Sequence, residues 1–67
     1  MKTYRYGRKE KLIKARDERN LTQEHVAAIF NTSRQYISQI ERGERQPGFE
    51  FALELAKFFG MNLKDLR

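Results

Sequence analysis

The stretch "TSRQYISQIERG", residues 32–43, gathers side chains that could do recognition chemistry. Its pattern is helical, with Ile37 and Ile40 as the only evident apolar anchors. At about 100° per residue, Ile37, Ile40 and Glu41 share one side of such a helix. Gln35, Ser38, Gln39 and Arg42 fall roughly opposite, and Arg34 lies in the first turn. Arg and Gln are the side chains whose paired hydrogen-bonding groups match guanine and adenine edges in duplex DNA. A polar helix face is also what any solvated surface shows, so the reading depends on what holds this helix.

Those elements are short and helical. Residues 8–19 form a charged helix with Leu12, Ala15 and Ile13 directed inward. Asn20 follows at a position that tolerates left-handed backbone. Thr22 caps a second helix, "QEHVAAIF", and Ser33 caps the third, which stops at Gly43. "GERQPG" is a loop broken by Pro47. "FEFALELAKFF" is the most apolar helix, ended by Gly60. A fifth, short helix starts at Asn62, with Asp65 three residues on in a capping-box-like spacing. The expectation is an all-α domain of five helices over residues 8–67, preceded by a basic arm, residues 1–7. Only "NTS" separates the second and third helices, too short for antiparallel packing along their lengths, and it suits a helix-turn-helix. Ala27 is small where the two must approach closely, and Asn31 can take the positive φ of the turn.

Composition narrows the function. Sixty-seven residues make one small domain that buries about 60% of its unfolded surface. Without Cys there is no disulfide or thiolate metal site, and a lone His25 cannot build a zinc site, so no metal or other cofactor is expected. No nucleophile–base–orienter set can be assembled around one His, which argues against an enzyme. No run nears the roughly 18 apolar residues of a membrane span, and no apolar region follows the basic start, so a soluble cytoplasmic protein is expected. Residues 1–20 hold eight Lys/Arg against three Asp/Glu, whereas residues 21–67 balance; the formal excess of +5 sits in the first third. A basic surface favours polyanions. The segment lacks the wide apolar face of a membrane-surface helix. RNA binding through exposed stacking aromatics on a sheet does not suit a helical chain.

The chain resembles the Cro/CI-type (Xre-like) helix-turn-helix regulators of phages and bacteria. The resemblance rests on "LTQEHVA", "TSRQYISQIERGERQPG" and "LELAKFFGMNLKDL", and spans residues 8–66. It implies a phage-repressor-like five-helix domain binding double-stranded DNA, usually as a dimer on near-palindromic operators, and most often as a repressor. The matching positions make Ser33, Arg34, Gln35, Ser38 and Gln39 the base readers, with Gln35 foremost. Gln23 becomes a phosphate contact at a helix N-terminus, and Arg42, Arg45 and Gln46 lie against the DNA backbone. Tyr36, on the flank, meets a thymine methyl or a phosphate, or packs on the domain. Three positions depart from the pattern. His25 stands where Glu usually closes a reciprocal capping box, so that box is expected to be lost. Asn31 replaces a turn Gly, and Phe51 and Phe58 replace small or polar residues. Within the same fold, an antitoxin or anti-repressor that binds a protein partner is the alternative function. No effector domain or small-molecule ligand is apparent.

Two further expectations concern packing. Arg16, four after Leu12, and Glu41, four after Ile37, point into one core and should pair, as the resemblance also implies; otherwise both reach out to water. In the fourth helix, Phe49, Ala52, Leu53, Ala56 and Phe59 read as the inward stripe. Phe51, Leu55 and Phe58, with Met61, Leu63 and Leu66, then leave an apolar surface for a homodimer. Alternatively, Tyr4 and Tyr6 fold back to cover Phe51 and Phe58. The same two tyrosines, flanking Arg5, are either an arm folded on the domain or an arm that contacts DNA.

Overall fold

A computed structural model describes residues 5–67, which form four α-helices and one 3-10 turn, with no strand among them. The helices are α1 (Glu10–Glu18), α2 (Gln23–Ile29), α3 (Arg34–Arg42) and α4 (Phe49–Phe59), followed by the turn Leu63–Asp65. The expected fifth helix is thus a single 3-10 turn. Its sequence offers only three residues before Leu66 inserts into the core, and Asn62 makes no side-chain cap. So short a segment gains too few hydrogen bonds to propagate as an α-helix.

Three helix ends share one device. Leu21 N–H donates to Arg16 O and Asn20 N–H to Asp17 O at the end of α1. Thr32 N–H to Ala27 O and Asn31 N–H to Ala28 O repeat the pattern after α2. Glu44 N–H to Gln39 O and Gly43 N–H to Ile40 O repeat it after α3. Each pair satisfies carbonyls that a helix end would leave open, and each needs left-handed backbone at the turning residue. Asn20 (φ 56°), Asn31 (φ 55°) and Gly43 (φ 81°) supply it. At Gly43 more than φ is at stake, because an added Cβ would collide with the Gly7 backbone.

The core is built from Leu12, Val26, Ala27, Ile37, Ile40, Ala52, Leu55, Ala56, Phe59 and Leu66. Ala27 lets α2 and α3 pack closely, and these two helices make the most extensive contact in the fold. The register of α4 differs from the expected one. Leu55 is 1% exposed and completes a stripe with Ala52, Ala56 and Phe59, whereas Phe49 is 54% exposed and Leu53 is half-buried. Glu50, Glu54 and Lys57, spaced i, i+4, i+7, mark one polar side of α4, and the buried stripe lies opposite it, against α1 and the last turn. Leu55 and Leu66 therefore belong to the chain's own core and offer nothing to a dimer surface. Of the other residues expected there, Phe51 and Met61 are half-buried and Phe58 is 41% exposed.

Phe51 is covered from an unexpected side. Its ring lies 5.7 Å from Phe30 and 5.3 Å from Tyr36, and Phe30 also meets Phe58 at 5.5 Å. Tyr6, half-buried, instead donates its backbone N–H to Gly43 O at 3.0 Å, which anchors the start of the described chain on the end of α3. Lys9 continues that seam: its N–H donates to Glu41 O, and its buried ammonium donates to Tyr6 O and Gly7 O. Burial pushes the Lys9 pKa below the usual lysine value. The expectation for Tyr4 lies outside the described residues.

Candidate nucleic-acid interface

A buried ion pair ties the three N-terminal helices together. Glu41 on α3 is 3% exposed. Arg16 of α1 donates to it twice, Nε to Oε2 at 2.7 Å and Nη2 to Oε1 at 3.1 Å. Arg16 Nη1 also donates to Leu21 O at 2.9 Å, in the link to α2. The hydrogen bond to Glu41, partly opposed by desolvation, raises the Arg16 pKa above its ordinary value. Such a fork-to-fork contact has strict geometry, so it sets the position of α3 as well as holding it.

The same carboxylate reaches the candidate recognition face. Gln23, the first residue of α2, donates Nε2 to Glu41 Oε1 at 2.8 Å. A carboxylate only accepts, so the Gln23 amide has one orientation, and its oxygen lies 3.5 Å from Arg34 Nη1. Expected as a residue free for phosphate, Gln23 keeps one amide hydrogen for that purpose and spends the other inside the fold.

Along α3, Arg34 and Gln35 are exposed and Ser38 and Gln39 are half-buried. Ser33 is exposed, and its hydroxyl accepts from Tyr36 N–H at 3.1 Å, so it caps the helix. Tyr36 is half-buried between Phe51 and the Arg45 guanidinium, 5.6 Å from its ring centroid. Packing on the domain, one of its two expected roles, is what its side chain does here. Arg42 and Arg45 are exposed and Gln46 is half-buried, which puts these cations at the C-terminal side of α3. Glu44, which had no assigned role, sits among them. It pairs with Arg42 Nη2 at 2.9 Å and accepts from Gln39 Nε2 at 3.4 Å.

The capping box of α2 is present, against expectation. Thr22 Oγ1 accepts from His25 N–H at 3.0 Å, and His25 Nδ1 accepts from Thr22 N–H at 3.1 Å. A neutral imidazole has one acceptor nitrogen, and at this position it reaches as a Glu carboxylate would. The box pattern names carboxylate and amide side chains, which is why His25 gave no signal. Among the described residues no three His, Asp or Glu side chains gather as a metal site would need. No described helix is long and apolar enough to cross a membrane.

A sequence model of the family described as Helix-turn-helix matches residues 12–66. This chain belongs to the Cro/CI-type, Xre-like helix-turn-helix family. It is 43% identical over 58 residues to an uncharacterized HTH-type transcriptional regulator of Methanocaldococcus jannaschii, across 87% of this chain and 88% of that protein. It is 43% identical over 51 residues to an uncharacterized HTH-type transcriptional regulator of Sinorhizobium fredii, covering 76% of this chain and 66% of the relative. Similarity to the HTH-type transcriptional regulator DdrOP3 of Deinococcus deserti is 35% over 57 residues, 85% of this chain and 44% of that longer protein. No solved structure matches the chain significantly. In this helix-turn-helix protein, α2 and α3 are the paired helices of the motif, and Asn31 provides the left-handed turn between them.

Proposed function

We propose that the chain is a sequence-specific, double-stranded-DNA-binding transcriptional regulator, a cytoplasmic repressor that reads a near-palindromic operator through the major groove as a homodimer. The observation that supports this best is the exposed pair Arg34 and Gln35 at the start of α3, on a helix held from behind by a buried ion pair. A rigid helix that projects its polar N-terminal half is the form in which helix-turn-helix proteins meet base edges.

In this reading Gln35 takes adenine and Arg34 takes guanine or a phosphate, with Ser38 and Gln39 further along the groove. Ser33, committed as a cap, contributes at the margin. Gln23, Arg42, Arg45, Gln46 and the Tyr36 hydroxyl meet the sugar-phosphate backbone, which sets register without reading sequence. One such helix covers few base pairs, so two-fold pairing about 34 Å apart supplies the rest of the address. The pairing surface, after the burial of Leu55 and Leu66, is drawn from Phe49, Phe51, Phe58 and Met61.

Selection of binding sites from random duplexes, followed by footprinting, tests the reading. A recovered palindrome with half-sites one helical turn apart supports the dimeric regulator, and no enrichment over random sequence rejects it. A protein-binding role, as in an antitoxin or anti-repressor, is favoured by one observation. Ile29 (49% exposed), Phe49 (54%) and Phe58 (41%) remain open to solvent in so small a domain. Sedimentation at micromolar concentration separates the two. A self-associating wild type that becomes monomeric with Phe58→Ser and Phe49→Ser favours the homodimer. A wild type that stays monomeric both free and on DNA removes it.

A further inference from the structure

Glu44 stands where a regulator of nucleic-acid contacts has least obvious reason to keep a negative charge. It sits between Arg42 and Gln39 at the end of α3. Its placement is rigid. Gly43 turns the chain back with left-handed backbone, and the N–H groups of both Glu44 and Arg45 donate to the Gln39 carbonyl, at 2.9 and 3.2 Å. The carboxylate is thereby held over the last turn of the helix. Oε2 takes Arg42 Nη2 at 2.9 Å, and Oε1 takes Gln39 Nε2 at 3.4 Å.

The second contact has a chemical consequence. A glutamine amide has a donor end and an acceptor end of nearly equal shape, and either can face a binding partner. A carboxylate has no hydrogen to donate, so only the NH₂ end of Gln39 can turn toward Glu44. The amide oxygen is then the end left for an incoming group, and among the described residues no donor is recorded on it. In the major groove, adenine and cytosine present exocyclic amines, whereas guanine and thymine present carbonyl oxygens at the corresponding places. An outward amide oxygen accepts from the first pair and is repelled by the second.

We propose that Glu44 is a specificity-determining positioning residue: by fixing the Gln39 amide it makes this side chain select adenine or cytosine over guanine or thymine at one operator position. The proposal rests on the DNA-binding reading above, and adds to it a residue that touches no base. Glu44 also lowers affinity for every sequence, because its charge opposes the phosphates, so it exchanges strength of binding for discrimination.

The test uses a site selected by the wild-type protein and four duplexes that differ at the position whose preference changes most in Gln39→Ala. Wild type should bind the adenine or cytosine duplex about tenfold more tightly than the guanine and thymine duplexes, the scale of one good base contact. In Glu44→Gln the new amide can donate or accept, so Gln39 is free to turn. The ratio should then fall to about twofold or less, while preferences set by Arg34 and Gln35 persist, on the same scale of base discrimination. Glu44→Ala should give the same loss of discrimination. On top of that loss, both variants should show a common gain in affinity on all four duplexes, the component that charge removal alone produces. In a Gln39→Ala background, Glu44→Gln should leave only that uniform shift, which marks the coupling between the two residues. An unchanged ratio in both Glu44 variants, a wild-type preference for guanine or thymine, or a Gln39→Ala protein with unaltered preferences would each overturn the proposal. A wild type that selects no sequence at all would instead remove the DNA-binding reading beneath it.

Discussion

The two faces of α3 obey different rules. The inner face is Ile37, Ile40 and Glu41, all buried, and it runs on to Gly43, pressed against the Gly7 backbone. Among the described residues no buried side-chain N or O is left without a hydrogen-bond partner. The outer face begins with Arg34 and Gln35, both exposed, and Arg34 reaches Gln23 at its edge. One helix thus carries a face the fold depends on and a face the fold does not need. Substitution on the outer face should cost less stability than substitution on the inner one. Gln23 and Gln39 stand on the border, each bonded on one side to a carboxylate, Glu41 and Glu44.

Substitutions can break or sharpen that contrast. The largest effect is expected from Glu41→Ala, which removes both of the Arg16 bonds to that carboxylate, leaving the guanidinium to Leu21 O and Asp17, and releases Gln23. Chemical denaturation should show a loss of roughly 3–5 kcal/mol, the cost of removing one partner of a buried pair. A loss below about 0.5 kcal/mol, the size of a neutral surface change, would mean that the inner face tolerates change as the outer face does. Gly43→Ala comes next. Left-handed backbone costs a non-glycine residue roughly 1–3 kcal/mol, and the collision with Gly7 adds to it. The thermal midpoint should fall well below that of Asn31→Ala, which meets only the first of these penalties.

Gln35→Ala should leave the denaturation midpoint unchanged and weaken operator binding by about 1–3 kcal/mol, with relaxed preference at one base. Equal losses in folding and binding would put Gln35 on the wrong face. Smaller still is the cap of α2. Thr22→Ala should cost about 1 kcal/mol, and His25→Ala less, because it removes only the returning half of the box. Replacing His25 by Glu should keep both halves, and calorimetry that finds no difference between the two would confirm the imidazole as an equivalent acceptor.

Much of this could be read from residue types alone. Ser33 and Thr22 are caps because a hydroxyl at those positions can take a backbone N–H, and Asn20 and Asn31 are turns because their short amides tolerate positive φ. The opposed faces of α3 follow from the spacing of two isoleucines in a polar helix. Those are local matters, settled by a few neighbouring residues. His25 is an exception that local rules could have found, had the box been defined by acceptor geometry rather than by Glu and Gln.

The remainder depended on which surfaces meet. How α4 docks is not written in its own eleven residues: Glu50, Glu54 and Lys57 mark its outer side, but not which segments cover Ala52, Leu55, Ala56 and Phe59. Contact with α1 and the last turn settles that. The seam between residues 6–9 and the end of α3 is likewise invisible to pattern, since its bonds are backbone to backbone, and backbone atoms are alike in every residue. Glu44 shows the same limit at the polar face of α3. Its charge can be counted from the sequence, but which amide it orients depends on how Gly43 folds the chain back over Gln39. Helices, caps, turns and the polar face were determined by the sequence through short-range hydrogen bonding and periodicity. Docking and side-chain orientation were decided by the tertiary structure, because they arise between segments that the sequence alone does not bring together.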